Sequence, residues 1–137
     1  MDKKGRILIV DDKKINRFIL AGMFEEDYDI IEVPDGKEAI TVIEQEREAL
    51  SVILLDIIMP KVDGFAVLRY MEENHLFDLV PVVLVTMNGS KDNIRRAYEY
   101  EIADFIQKPF DEEIVKRRVK NIIELYQKRK TVPDIAE

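Results

Sequence analysis

Two kinds of segment alternate along the chain. Arg6–Val10, Tyr28–Val33, Ser51–Leu55 and Val80–Val85 are short runs rich in β-branched residues, and Phe105-Ile106 is a shorter fifth. The first, third and fourth are almost continuously apolar. Strands with that pattern are covered on both faces, which predicts a parallel sheet between layers of helix. Between the runs, apolar residues recur at helical spacing: Ile15, Phe18, Ile19 and Met23; Ala39, Ile40 and Ile43; Phe65, Leu68 and Met71; Ile94, Ala97 and Tyr98. Asp35 is placed to cap the second helix, with Glu38 three residues on for a capping box. Asp63 and Ser90 precede the third and fourth helices. Asp111 can cap the last, with Glu112 and Glu113 near its positive end. The order is therefore strand then helix, five times over. Short right-handed crossovers turn that order into a three-layer, doubly wound α/β sandwich. No internal repeat, low-complexity segment or interdomain linker interrupts it.

The last helix has two readings. Val115, Val119, Ile122 and Tyr126 are spaced 4, 3 and 4, a heptad-like seam, and Lys116–Lys130 carries seven basic residues against one acid, Glu124. Either one stripe packs on the core beneath a solvated charged face, or the helix runs on into a second protomer or a downstream domain. The tail from Thr131 to Glu137 contains Pro133 and reads as a frayed end or linker stub.

Composition narrows the class. A chain of 137 residues suits one domain, and a hydrophobic fraction of 47% can fill its core. The absence of Cys excludes a disulfide scaffold, a thiolate zinc site and a cysteine nucleophile, and a single His excludes a site needing two imidazoles. With 21 Lys+Arg against 28 Asp+Glu, the net charge of -7 opposes direct nucleic-acid binding. No apolar run approaches the roughly 20 residues of a membrane span. The start, Met1 to Gly5, leads straight into a strand without a signal-peptide pattern, so a cytoplasmic setting is expected.

The chemistry collects at strand ends. In an open parallel sheet, ligands bind beyond the carboxyl ends of the strands. The residues there are Asp11, Asp12, Asp56, Thr86 and Lys108. A turn or cap explains one strand-end Asp, but not carboxylates, a hydroxyl and an ammonium at four separate strand ends. Clustered carboxylates repel unless a cation joins them. With no soft ligand nearby, a hard, oxygen-loving ion such as Mg²⁺ fits. An ammonium and a hydroxyl beside such an ion suit the oxygens of a phosphoryl group in transfer, with one carboxylate left as nucleophile. Asp56 is the best candidate, because it ends a central strand with Asp11 and Asp12 expected on the neighbouring one.

With these motifs the chain resembles the receiver (CheY-like) domain of bacterial two-component response regulators. The resemblance rests on Val10-Asp11-Asp12, Asp56-Ile57-Ile58-Met59-Pro60 with Asp63-Gly64, Val85-Thr86, and Asp104-Phe105-Ile106-Gln107-Lys108-Pro109-Phe110. Order and spacing match from about Arg6 to Tyr126. It implies a flavodoxin-like sheet in the order 2-1-3-4-5, a receiver domain over residues 1–126, and a helix end with linker or tail over 127–137. It also implies that Asp56 takes a phosphoryl group from a phosphohistidine on a sensor histidine kinase or histidine phosphotransfer protein. Asp12, Asp56 and the backbone carbonyl of Ile58 would ligate Mg²⁺, with Asp11 acting through water or by orienting Lys108. The Lys108–Pro109 bond would be cis. Thr86 and Phe105 would carry the change to the surface of the fourth helix, fifth strand and fifth helix, with Val115, Val119, Ile122 and Tyr126 on that output or dimer surface. The chain would catalyse its own phosphorylation and slow dephosphorylation at most, without turnover of a separate substrate.

Several positions depart from the family pattern. Phe105 replaces a frequent Tyr, so it can report by packing and not through a hydroxyl. Met87 stands where a small residue is usual. Ile58 and Asn88 occupy positions that tune phosphoryl lifetime, and an apolar Ile58 predicts slow self-dephosphorylation. Glu101-Ile102 replaces a Gly-Ala pair, which predicts an irregular end to the fourth helix. Met87 keeps open a phosphorylation-independent receiver-like dimerisation or interaction module. A phosphohydrolase of the haloacid dehalogenase type would need two aspartates one residue apart and a cap domain, and a flavin carrier would need an uncharged phosphate loop where Asp11-Asp12 stands. A homodimer and a C-terminal effector domain beyond the basic helix are the remaining partner expectations.

Overall fold

The computed structural model describes residues 2–57, 59, 64–86, 91–109 and 111–131. Five strands alternate with five helices: β1 (Arg6–Val10), α1 (Lys14–Phe24), β2 (Asp29–Val33), α2 (Gly36–Glu46), β3 (Leu50–Leu55), α3 (Gly64–Glu73), β4 (Val82–Thr86), α4 (Lys91–Ala97), β5 (Asp104–Gln107) and α5 (Glu112–Thr131). All strand pairs are parallel and the sheet order is β2-β1-β3-β4-β5. This is the flavodoxin-like, doubly wound α/β sandwich expected from the alternation of segments.

The two faces of the sheet bury separate cores. Leu8, Val10, Ile53, Leu55, Val82 and Leu84 point into the layer formed by α2, α3 and Ala97 of α4. Ile7, Ile9, Val52, Leu54, Val83 and Val85 point into the layer formed by α1 and α5. Every residue of β3 and β4 except Ser51 is buried, which is why those runs show no polar alternation. Strand limits differ from the sequence reading by a residue or two. Tyr28 closes the α1 turn by donating its N–H to Phe24 O, so β2 starts at Asp29. Val80 likewise donates to Leu76 O, and Pro81 has no N–H for a ladder, so β4 starts at Val82 and includes Thr86.

Side-chain caps mark the starts of α2 and α5. Asp35 accepts from the Glu38 N–H at 2.9 Å, and Asp111 accepts from the Glu113 and Ile114 N–H groups at 2.9 and 3.2 Å. Helix faces needed correction. In α1 the expected core residues Ile15, Phe18 and Ile19 are exposed, and Leu20, Ala21, Met23 and Phe24 are buried. The helix is apolar on more than one side, so periodicity alone did not select the inward stripe. In α5, Val115 and Val119 are fully buried and Ile123 takes the next core position. These two valines, expected on an output or dimer surface, are consumed by the chain's own core. Ile122 packs at the core edge, and Tyr126 is half-buried beneath the Arg129 guanidinium. Tyr98, read with the α4 stripe, lies past the end of that helix and is exposed. Tight turns through Glu99 and Tyr100 follow it.

Candidate phosphoryl-acceptor site

The parallel register places the chemistry at one edge. Val10 pairs with Leu55, so the residues that follow them come side by side, and Asp56 N–H donates to Val10 O at 2.9 Å. On the other side, Lys108 N–H donates to Thr86 O at 2.8 Å, continuing the β4–β5 ladder by one residue. Asp11, Asp56, Thr86 and Lys108 are buried, and Asp12 is half-buried at the rim. Among the described residues, Asp11, Asp12 and Asp56 form the one group suited to a metal ion, with carboxylate oxygens within 4.8 Å of one another.

Two contacts organise the pocket. Lys108 Nζ donates to Asp11 Oδ2 at 2.7 Å and lies 3.7 Å from Asp56 Oδ2. Thr86 Oγ1 donates to Asp56 Oδ1 at 3.0 Å. The Lys108–Pro109 peptide bond is cis. Asp11 is held further, since its Oδ1 also accepts from the Lys13 N–H at 2.9 Å and from Asn16 Nδ2 at 3.4 Å. The Lys108 ammonium thus faces two of the three carboxylates, Asp11 and Asp56, and the clustered negative charge, all on oxygen, suits a hard divalent cation. The donor set fits such an ion without any soft ligand.

Gly64 opens α3 directly behind the site. A Cβ there would stand 2.5 Å from Ile57 Cα and 2.8 Å from Asp56 O, so only glycine lets the helix approach the Asp56 backbone. Away from the acids, half-buried Phe105 meets exposed Tyr98 edge-on, with ring centroids 6.4 Å apart. On the α5 side of β5, Arg118 donates from Nε and Nη2 to the Asp104 carboxylate at 2.8 and 2.5 Å. The Asp104 hydrogen bonds hold the Arg118 guanidinium above its ordinary pKa. Of the remaining expected positions, Ile58, Asp63, Met87, Asn88, Ser90, Phe110 and Pro133 lie outside the described residues.

The sequence reading missed Arg17 and Asn16. Both are half-buried on the inward stripe of α1, one turn before Leu20 and Ala21. Arg17 Nη1 donates to the Asp11 backbone carbonyl at 2.7 Å, and its Nε faces Glu32 Oε1 at 3.3 Å. The signal was present as two polar residues at i-4 from the buried Leu20 and Ala21, where a helix facing an apolar sheet would otherwise be apolar.

Comparison with known proteins agrees with this architecture. Residues 7–120 match the response regulator receiver domain family, and the chain belongs to it. It is 35% identical over 120 residues to the response regulator PleD of Caulobacter vibrioides, covering 86% of this chain and 26% of that protein. A CheY-like response regulator receiver domain protein from Methanospirillum hungatei superposes with a TM-score of 0.77 at 28% identity, covering 91% of this chain and 98% of that one. The CheX-CheY-BeF3-Mg+2 complex from Borrelia burgdorferi gives a TM-score of 0.77 at 28% identity, with coverages of 88% and 90%. The chain spans about a quarter of PleD. It is therefore a receiver domain of two-component signalling, and among its described residues no helix is long and apolar enough to cross a membrane.

Proposed function

We propose that the chain is a phosphoryl-accepting switch in which Asp56 is the acceptor. The observation that carries this reading is the meeting of Asp11, Asp12, Asp56, Thr86 and Lys108 at one sheet edge. A carboxylate oxygen of Asp56 attacks phosphorus, the bond from phosphorus to the donor imidazole nitrogen breaks, and its electron pair leaves with the imidazole. Lys108, tethered by Asp11, is within a short movement of the incoming phosphoryl oxygens. Thr86 exchanges its hydrogen bond on Asp56 for one to a phosphoryl oxygen. Asp12 and Asp56, with the carbonyl of Ile58, would hold Mg²⁺, which supplies charge neutralisation at the phosphoryl group. The change passes through Thr86 and Phe105 to the surface made by α4, β5 and α5.

The phosphodonor is a sensor histidine kinase or a histidine phosphotransfer protein. Its docking surface is α1, which starts two residues beyond Asp12 and exposes Ile15, Phe18 and Ile19 by 62%, 71% and 43%. An apolar patch at the mouth of an acidic pocket suits a protein donor whose phosphorylated imidazole must reach Asp56.

Intact mass after incubation with Mg²⁺ and a small-molecule phosphodonor tests the acceptor. One added phosphoryl group is expected in the wild type, and none without Mg²⁺ or in Asp56→Asn. Phe18→Glu should still accept from the small donor while losing transfer from the protein donor. If neither kind of donor phosphorylates the wild type, the chain is a phosphorylation-independent interaction module.

A further inference from the structure

The Asp11–Asp12 peptide is held from outside the pocket by a residue that touches none of its carboxylates. We propose that Arg17 is a positioning residue: its guanidinium, aimed by Glu32, fixes the Asp11–Asp12 peptide in the orientation that presents both carboxylates to a divalent cation. The inference rests on the cation-dependent reading above. Three facts carry it. The Arg17 Nη1 to Asp11 O bond is 2.7 Å, short and charge-assisted. Only 15% of the Arg17 side chain is exposed, so the contact is sheltered from water. Glu32 Oε1 stands 3.3 Å from Nε, on the atom that does not bond the carbonyl, so the planar fork is engaged on two sides.

The geometry explains why that peptide needs a clamp. Asp11 N–H bonds Val33 O at 3.2 Å as the ladder with β2 ends. Two residues later, Lys13 O already accepts from the Asn16 and Arg17 N–H groups of α1. The peptide between Asp11 and Asp12 lies in the gap between these ladders, and a change in the backbone torsions flanking it would move the Asp12 carboxylate relative to that of Asp56 and to that of Asp11, which Lys108 and the Lys13 N–H already hold. Arg17 bonds the carbonyl of that peptide. Its position on α1, in line with buried Leu20, Ala21 and Phe24, ties the clamp to the packed helix.

The alternative role for Arg17 is electrostatic, and it predicts the opposite sign. A cation beside the acid pocket opposes a second cation, so a pure charge effect would make Arg17→Met bind Mg²⁺ more tightly and leave Arg17→Lys near the wild type. Positioning predicts weaker binding in both, because Lys keeps the charge but cannot engage the carbonyl and Glu32 together.

The test is calorimetric titration of Mg²⁺ into the full, unphosphorylated chain with no phosphodonor, for wild type, Arg17→Lys, Arg17→Met, Glu32→Gln and Arg17→Met/Glu32→Gln, with melting curves in chelator. Loss of an outer partner of a metal site weakens the metal by roughly tenfold or more, and that rise in Kd is expected for Arg17→Met. Arg17→Lys and Glu32→Gln should show smaller rises, and the double variant should be no weaker than Arg17→Met. A Kd in Arg17→Met that is unchanged or tighter, in a variant still folded in chelator, overturns the assignment. A lowered melting temperature with unchanged Kd means a merely structural contact and overturns it too. A wild type that takes up no Mg²⁺, matching Asp12→Asn, overturns the cation reading itself and the assignment with it.

Discussion

Removing one charge from the acid pocket should stabilise the chain and abolish its response to Mg²⁺. The perturbation is Asp12→Asn, at the half-buried member of three carboxylates whose oxygens lie within 4.8 Å of one another. At that separation a like-charge pair costs about 3 kcal/mol at an effective dielectric of 20 and about 1 kcal/mol in bulk water. Asp12 repels two partners, but Lys108 lies against both of them and offsets roughly one of the two repulsions. The net relief is therefore about one pair, or about 1–3 kcal/mol. For a domain of this size that corresponds to a rise of about 3–10 °C in melting temperature. Mg²⁺ should offset most or all of that advantage. At a hundredfold excess over its Kd, a ligand adds about 2.7 kcal/mol to the state that binds it, and Asp12→Asn should receive little of this. Thermal melts with chelator and with Mg²⁺ read both effects. If Asp12→Asn melts at or below the wild type in chelator, carboxylate repulsion does not govern the pocket. If Mg²⁺ raises both proteins equally, Asp12 is not a ligand.

Three further outcomes are expected. Gly64→Ala places a methyl against the backbone of Asp56 and Ile57, so it should cost about 1–3 kcal/mol and slow phosphorylation of Asp56; a melt and an acceptance rate both at wild-type levels would show that α3 can retreat without disturbing the acceptor. Thr86→Val keeps the buried shape but removes the donor to Asp56 Oδ1, which should lower stability by about 1.5–3 kcal/mol in urea unfolding; an unshifted midpoint would mean the bond contributes nothing before phosphorylation. Burial and the nearby Asp27 and Glu124 carboxylates push the Tyr28 phenol above its ordinary pKa of 10.0. The folded chain thus holds this proton more tightly than the unfolded one. That contribution is present below the ordinary pKa and is lost as pH rises through the higher folded value. Tyr28→Phe should flatten this alkaline fall in melting temperature, and an equally steep fall would assign it to other groups.

Much of the site could be read along the chain because of how parallel sheets are built. Strands buried on both faces are written as apolar runs, so the first polar residue after each run marks a carboxyl end. Parallel strands bring all those ends to one edge, which is why Asp11, Asp12, Asp56, Thr86 and Lys108 are grouped by their positions in the sequence. Caps were equally readable at Asp35 and Asp111, because they are local bonds between a side chain and the N–H groups two or three residues on.

Other features depended on distant parts of the chain. Ile15, Phe18 and Ile19 have helical spacing as good as that of Leu20, Ala21 and Phe24, and only the docking of α1 against β1 and α5 chose the inward stripe. The 4-3-4 seam of α5 gave way to Val115, Val119 and Ile123, because Ile122 and Ile123 are adjacent apolar residues and only the docking of α5 on the sheet decides which of them turns inward. The family resemblance offered Asp11 as a residue orienting Lys108, but residue spacing by itself does not rank Asp11 over Asp56 as the closer partner, because that choice depends on how far β5 carries the lysine toward β1 across the intervening strands. Arg17 belongs to the same class: its partner is a backbone carbonyl six residues earlier, and only packing of α1 on the sheet brings the guanidinium to it. Residue types and their periods, which are local, specified the elements and the chemistry at their ends. Side-chain pairing across elements required the helices to be docked, because contact there depends on the orientation of two bodies and not on spacing within one.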